Sequence, residues 1–200
     1  MVSIIIPYKE DRGWLHEAVK SVQMQTWRGS IELINCQSDN GVSYNINRGI
    51  EIAKGEYIKY LCEDDWLTPN SIKASVEAMR SYDFIHGNAY NIGGGIRQQK
   101  PIVEIPTLAE MLDFNVIHGG TLMYHKSVFD KVGLFDETLD CAEEYEFNLR
   151  CLSKGLKLGY CNQFLYNYRR HDKQKSLGNM DAEYQKERQR KIHKIKERYL

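Results

Sequence analysis

Three consecutive carboxylates, Glu63, Asp64 and Asp65, close the apolar run of "YIKYLCEDDW" and stand directly before Trp66. Carboxylates this close repel one another, and the cost persists only where a cation or a set of donors offsets it. Oxygen ligands with no Cys or His pair nearby suit a hard ion, Mg²⁺ or Mn²⁺, which keeps positions open for phosphate oxygens. The chemistry on offer is the holding of a metal-bound diphosphate. A solvated acidic turn accounts for the same residues, since negative charge is favourable at the N-terminus of the helix that follows Pro69. The EF-hand spacing D-x-[DN]-x-[DN]-G is absent. A second acidic pair, Glu143-Glu144, opens "EEYEFNLRCLSKG", where two acidic residues in a helix first turn complement its dipole.

These groups need a frame. "VSIIIP" is a continuous β-branched run ended by proline, as expected of a strand buried on both faces of a parallel sheet. Helical spacing follows in "GWLHEAVKSVQMQTW", then a strand in "IELINC" and a helix in "SYNINRGIEIAKGE", with Ile46, Ile50 and Ala53 on one face and Gly55 read as its C′ residue. "YIKYLC" is the third strand. Strands alternating with short helices predict right-handed βαβ units and a parallel sheet covered by helices. Ligands of such sheets bind outside the carboxyl ends of the strands, and Glu63-Asp64-Asp65 lie at one.

Farther along, Thr68 is expected to cap the helix "NSIKASVEAMRS", with Pro69 in its first turn. "YDFIHGNAYNI" and "IRQQKPIVEIP" read as strands joined through "GGG". "TLAEMLDF" reads as a helix, "GGTLMYH" as a strand, and "KSVFDKVG" and "CAEEYEFNLRCLSKG" as helices closed by Gly133 and Gly155. Two final strands, "LKLGYC" and "FLYNYRR", precede a charged helix from about Met180, read as a solvated helix over the core or as a partner-binding or membrane-surface helix.

Composition bounds the function. The 200 residues, 42% of them hydrophobic, fit one domain. The 27 basic and 27 acidic residues cancel, which removes any global electrostatic reason to bind nucleic acid or an anionic membrane. Five cysteines without a C-x-x-C pair encourage neither a disulfide framework nor a zinc site, and favour a reducing, cytoplasmic compartment. No apolar run is long enough for a transmembrane segment, and "MVSIIIPYKEDRGW" lacks the form of a secretory signal.

Taken in order, "SIIIPYKEDRGWLHEAVKSVQMQTW", "IELINCQSDNG", "NRGIEIAKGEYIKYLCEDDWLTPNSI", "GGTLMYHKSVFDKVGLFDE" and "AEEYEFNLRCLSKG" resemble the family 2 glycosyltransferases of GT-A fold, over nearly the whole chain. The resemblance implies a single GT-A α/β domain with a mixed, mostly parallel sheet flanked by helices. Its nucleotide-binding half would span residues 1–66, its acceptor-binding half residues 67–178 and its C-terminal helix residues 179–200. It further implies inverting transfer of a sugar from a nucleotide-diphosphate donor, a UDP-sugar favoured, to a hydroxyl of a glycan or glycoconjugate, with Mn²⁺ or Mg²⁺ as cofactor.

By the same resemblance, Pro7, Tyr8 and Glu10 end the first strand beside the nucleobase, and Asp39 stands for the base-contacting aspartate of a second strand that here reads Gln37-Ser38-Asp39-Asn40. Asn47, Glu63 and Asp64 also contact the nucleotide sugar, and Asp65 is the metal ligand. Glu144 is the base, one methylene longer than the family's aspartate, and Glu143, His118, Gly119 and Gly120 form the acceptor wall. "YNYRRHDKQKS" places Arg169 and Arg170 near the diphosphate and His171 on the metal, with one of the two arginines pointing away because adjacent strand residues face opposite sides. As a lone histidine, His118 is as readily structural. Two other readings stand beside this one. A sugar-phosphate nucleotidyltransferase should carry a glycine- and basic-rich phosphate loop, whereas "PYKEDRGW" offers only Lys9 and Arg12. A non-catalytic nucleotide-sugar-binding module would account for the departures at Gln37-Ser38 and Glu144.

Overall fold

The computed structural model describes residues 1–172, 174 and 182–200. The first strand, β1 (Val2–Tyr8), pairs in parallel with β2 (Ile31–Gln37) on one side and β3 (Tyr57–Tyr60) on the other. Helices α1 (Leu15–Gln23) and α2 (Val42–Ile52) make the two crossovers. The β-branched run of β1 is used on both faces. Ile5 packs with Ile46, Ile50 and the α2 side, whereas Val2, Ile4 and Ile6 pack with Ala18 and Val22 of α1.

The sheet then becomes mixed. After β3 come β4 (Trp66–Leu67), α3 (Ser71–Ala78), β5 (Phe84–Ile92), β6 (Ile96–Gln99), α4 (Leu108–Asp113), β7 (Met123–His125), α5 (Ser127–Val132), α6 (Glu143–Ser153), β8 (Leu158–Arg169) and α7 (Ala182–Glu197). The order among the described residues is β2-β1-β3-β7-β5-β8-β4, with β6 paired to β5. β7 runs antiparallel between β3 and β5, while β8 lies parallel to β5 and antiparallel to β4. Below the α5–α6 side sits an aromatic cluster in which Phe135 and Phe147 stack at 4.3 Å and Tyr124 meets Phe147 edge-on at 5.3 Å. Such pairs add about 0.5–1.5 kcal/mol beyond their area burial.

Several expectations are corrected. Thr68 does not cap α3: its hydroxyl donates to the Phe164 carbonyl at 2.7 Å, and Asn70 occupies the cap position. Gly55 is not a left-handed C′ residue, since α2 ends at Ile52; a Cβ there would lie 2.5 Å from the Ser3 amide, so close approach to β1 is what requires glycine. Gly133 and Gly155 do have positive φ, 84° and 73°. The two final strands are one, β8, with a register shift where Asn162 and Gln163 suggested a break. β4 went unforeseen, and it pairs with β8 at the boundary drawn near residue 66. The boundary near residue 178 and the start near Met180 fall outside the described residues, where α7 is described from Ala182. Among the described residues no helix is long and apolar enough to cross a membrane.

Candidate active site

The carboxyl ends of β1 and β3 open into a cavity of about 790 Å³. Its lining includes Pro7, Tyr8, Glu10 and Asp39 at and beyond the ends of β1 and β2, and Glu63, Asp64 and Asp65 after β3. His118, Gly119, Gly120, Glu143, Glu144 and Arg170 line the same cavity. Thirteen of the sixteen residues singled out from the sequence therefore share one cavity. Asn47, Arg169 and His171 do not line it.

The three carboxylates are not equivalent. Asp65 is 3% exposed, and both its oxygens accept from the protein: Oδ2 from the Tyr166 hydroxyl at 2.8 Å and Oδ1 from the Arg169 amide at 2.7 Å. Burial and the neighbouring Asp64 push its pKa well above the usual carboxylate range. Asp64 instead turns its Oδ2 toward His171 Nε2 at 3.0 Å and Arg12 Nη2 at 3.1 Å. Glu63 Oε1 accepts from Arg12 Nε at 2.6 Å. Burial followed by Asp64 raises the Glu63 pKa, against the pull of Arg12.

Donor chemistry fits a divalent cation. Ligand atoms of Cys62, Asp64 and Asp65 lie within 4.8 Å of one another, the His171 imidazole is at hand, and a guanidinium already stands against the carboxylates where positive charge is wanted.

Arg169 faces away from the cavity, as strand alternation demands of one arginine in the pair. Its guanidinium lies 5.4 Å from the Trp14 ring centre and 4.7 Å from that of Trp66, Nε donates to the Asp64 carbonyl at 2.8 Å, and Nη2 pairs with Glu17. It fastens the acidic turn from behind. His171 sits beside Trp14, ring centres 4.5 Å apart. Asn47, expected at the donor, is 1% exposed and spends its amide on Phe135: Nδ2 donates to the Phe135 carbonyl at 2.9 Å and Oδ1 accepts its amide at 3.0 Å. It braces α2 against the Phe135 loop.

The residue at the N-terminal cap position of α6 is Ala142, a non-glycine residue with φ 60°. No side chain caps the helix, and Glu143, Glu144 and Glu146 crowd its first turn. Glu146 is bound by Arg150 at 2.7 Å, and Arg150 donates to the carbonyls of Val132 and Leu134, both at 2.9 Å. That clamp fixes the helix, leaving Glu143 and Glu144 on the cavity. Burial raises the Glu144 pKa. Gly119 is backed by Glu144 and Tyr60, and a Cβ on Gly120 would overlap the Tyr166 ring. His118 has a buried Nδ1 with no partner among the described residues, and burial, then Lys59, pushes its pKa down to about 4. It is neutral at pH 7.

Sequence reasoning missed the supports. Asn45 ties the ends of β1 and β2, donating to the Tyr8 and Ser38 carbonyls, both at 3.1 Å. Tyr166 orients Asp65, and fully buried Lys59 donates to the carbonyls of Gly120 at 2.8 Å and Leu122 at 3.1 Å. Polar residues inside otherwise apolar runs, Asn45 in α2 and Lys59 in β3, were the available signal.

Known proteins share this fold. S. aureus TarS 1–349 in complex with UDP-GlcNAc superposes with a TM-score of 0.73 at 16% identity, over 97% of this chain and 66% of that one. Its complex with UDP gives 0.70 at 14% identity. The fold is therefore GT-A. Among curated sequences, an uncharacterized glycosyltransferase of Rickettsia felis is 29% identical over 76% of this chain, and one of Methanocaldococcus jannaschii 24% identical over 84% of it. The chain spans about a third of the Rickettsia felis relative, 31% of its length, and 70% of the archaeal one. The sequence profile described as "Glycosyl transferase family 2" matches residues 27–133, more than half of the chain, from before β2 to the end of α5. The chain belongs to glycosyl transferase family 2.

Proposed function

We propose that this domain transfers a sugar, with inversion, from a nucleotide-diphosphate donor, a UDP-sugar favoured, to a hydroxyl of a glycan or glycoconjugate. The observation that carries the reading is that two separate acidic groups, Glu63-Asp64-Asp65 after β3 and Glu143-Glu144 at the start of α6, line one cavity. Inverting transfer needs that separation, with charge compensation on the leaving-group side and one carboxylate on the opposite face. The complexes of TarS with UDP and UDP-GlcNAc favour a UDP donor here.

Tyr8 offers a flat ring to the base, and Asp39 an exposed carboxylate at the rim. Asp64 with His171 would hold Mn²⁺ or Mg²⁺; the two donors to Asp65 suit it better to shaping the turn than to the direct ligation expected of it. A bound divalent ion supplies Lewis acidity, neutralising charge on the departing diphosphate. Arg170 faces the cavity and adds positive charge on the same side. Glu144 takes the acceptor's proton as its oxygen bonds to the anomeric carbon, while the bond from that carbon to the diphosphate breaks and the nucleoside diphosphate leaves. The raised Glu144 pKa makes it a stronger base than a free carboxylate. Glu143 and neutral His118 orient the acceptor. A reducing, cytoplasmic setting fits five unpaired cysteines.

The test is turnover with a panel of UDP-sugars and acceptors. Glu144→Gln should keep donor affinity and lower kcat by about 100-fold or more. Equal turnover would remove Glu144 from the chemistry, and donor binding without any transfer would favour a binding module.

A further inference from the structure

Arg12 is the one guanidinium aimed into the acidic turn from the cavity side among the described residues. Its Nε and Nη2 lie 2.6 and 2.5 Å from Glu63 Oε1, and Nη2 reaches Asp64 Oδ2 at 3.1 Å. This placement is built, not incidental. The loop after β1 is folded by Asp11, whose Oδ1 accepts from the Gly13 amide at 2.8 Å, and Gly13 itself has φ 95°. The Arg12 guanidinium then lies 5.4 Å from the Trp14 ring centre, on the ring that also meets Arg169 and His171. A quarter of the Arg12 side chain is exposed, so the guanidinium borders solvent.

We propose that Arg12 is a resident counter-cation that competes with a divalent metal for Asp64 Oδ2, so that metal binds weakly alone and tightly together with a nucleotide diphosphate. The inference rests on the reading that Asp64 belongs to a metal site. A metal approaching the bare protein must displace a guanidinium held by two carboxylates, losing charge-assisted hydrogen bonds that are about twice as strong as neutral ones. When a diphosphate arrives with the metal, the released guanidinium finds new anionic oxygens in the same cavity, and that loss is offset. Metal and nucleotide affinities are then coupled, and the coupling is reciprocal. Arg12 sets much of its size.

Mn²⁺ binding, followed by electron paramagnetic resonance of the free ion, with and without saturating UDP, reads this directly and needs no turnover. Arg12→Met should bind Mn²⁺ about tenfold more tightly than wild type without UDP, and the gain in affinity on adding UDP should shrink by a similar factor. Lys9→Met, which removes a nearby exposed charge paired with Asp39 at 3.8 Å, should change Mn²⁺ affinity by no more than about twofold, as a screened surface charge does. Arg12→Lys should lie between wild type and Arg12→Met. Unchanged or weaker Mn²⁺ binding by Arg12→Met, or an effect of Lys9→Met as large, would overturn the competition. If Asp64→Asn abolishes Mn²⁺ binding while Arg12→Met leaves it unaltered, the metal site stands and only the role of Arg12 fails. If wild type binds UDP but no Mn²⁺ under either condition, both the competition and the metal part of the function fail together.

Discussion

A Cβ placed on Gly119 would lie 2.8 Å from Glu144 Cγ and 2.9 Å from the Tyr60 hydroxyl. The Gly119 backbone thus sets where the Glu144 carboxylate can sit. Gly119→Ala should push Glu144 out of line, lowering kcat by about tenfold or more while the dissociation constant for UDP-sugar changes little. Steady-state kinetics beside calorimetry with UDP checks the split. An equal loss in donor affinity would mean that the glycine serves the nucleotide instead.

Asn47 gives an opposite pattern. Its amide satisfies both the N–H and the C=O of Phe135, so Asn47→Ala should cost about 2 kcal/mol in denaturant unfolding, the scale of buried groups left unpaired. Donor affinity should hold. Tyr8→Ala is the contrast: Tyr8 lines the cavity as well as packing at the core's edge, so it should weaken nucleotide binding beyond what its loss of stability accounts for.

Lys59 makes stability depend on pH. Burial lowers its pKa from an ordinary 10.5 to about 7, so between those values the unfolded chain holds a proton that the native chain does not. Stability then rises with pH across that window and is lost as pH falls toward 7. Lys59→Met has no such proton, and its unfolding free energy relative to wild type should fall by about 3 kcal/mol between pH 7 and 9.5. Parallel curves for the two proteins would show that the lysine does not titrate in the native state.

β1 and α2 were the most legible of the early elements, β1 as a continuous β-branched run and α2 through apolar residues on one face. β4 was not, since two residues carry no periodicity and pair with β8 through contacts about 100 positions away. The site divided the same way. The acidic turn stands out by its run of three carboxylates and Glu144 only through the family resemblance, whereas the unequal surroundings of Asp64 and Asp65 depend on Tyr166 and on the backbone of Arg169, which no local pattern connects to residue 65. Asn47 misled because a polar residue in a helix near a site looks the same whether it faces ligand or core.

Arg169, seated between Trp14 and Trp66, has a bearing on the order of synthesis. Asp64 and Asp65 leave the ribosome about 100 residues before Tyr166 and Arg169, the partners that fix their turn. Those hydrogen bonds form only once β8 is in place beside the turn, so the acidic turn is completed by the C-terminal part of the sheet and not by the strand that carries it.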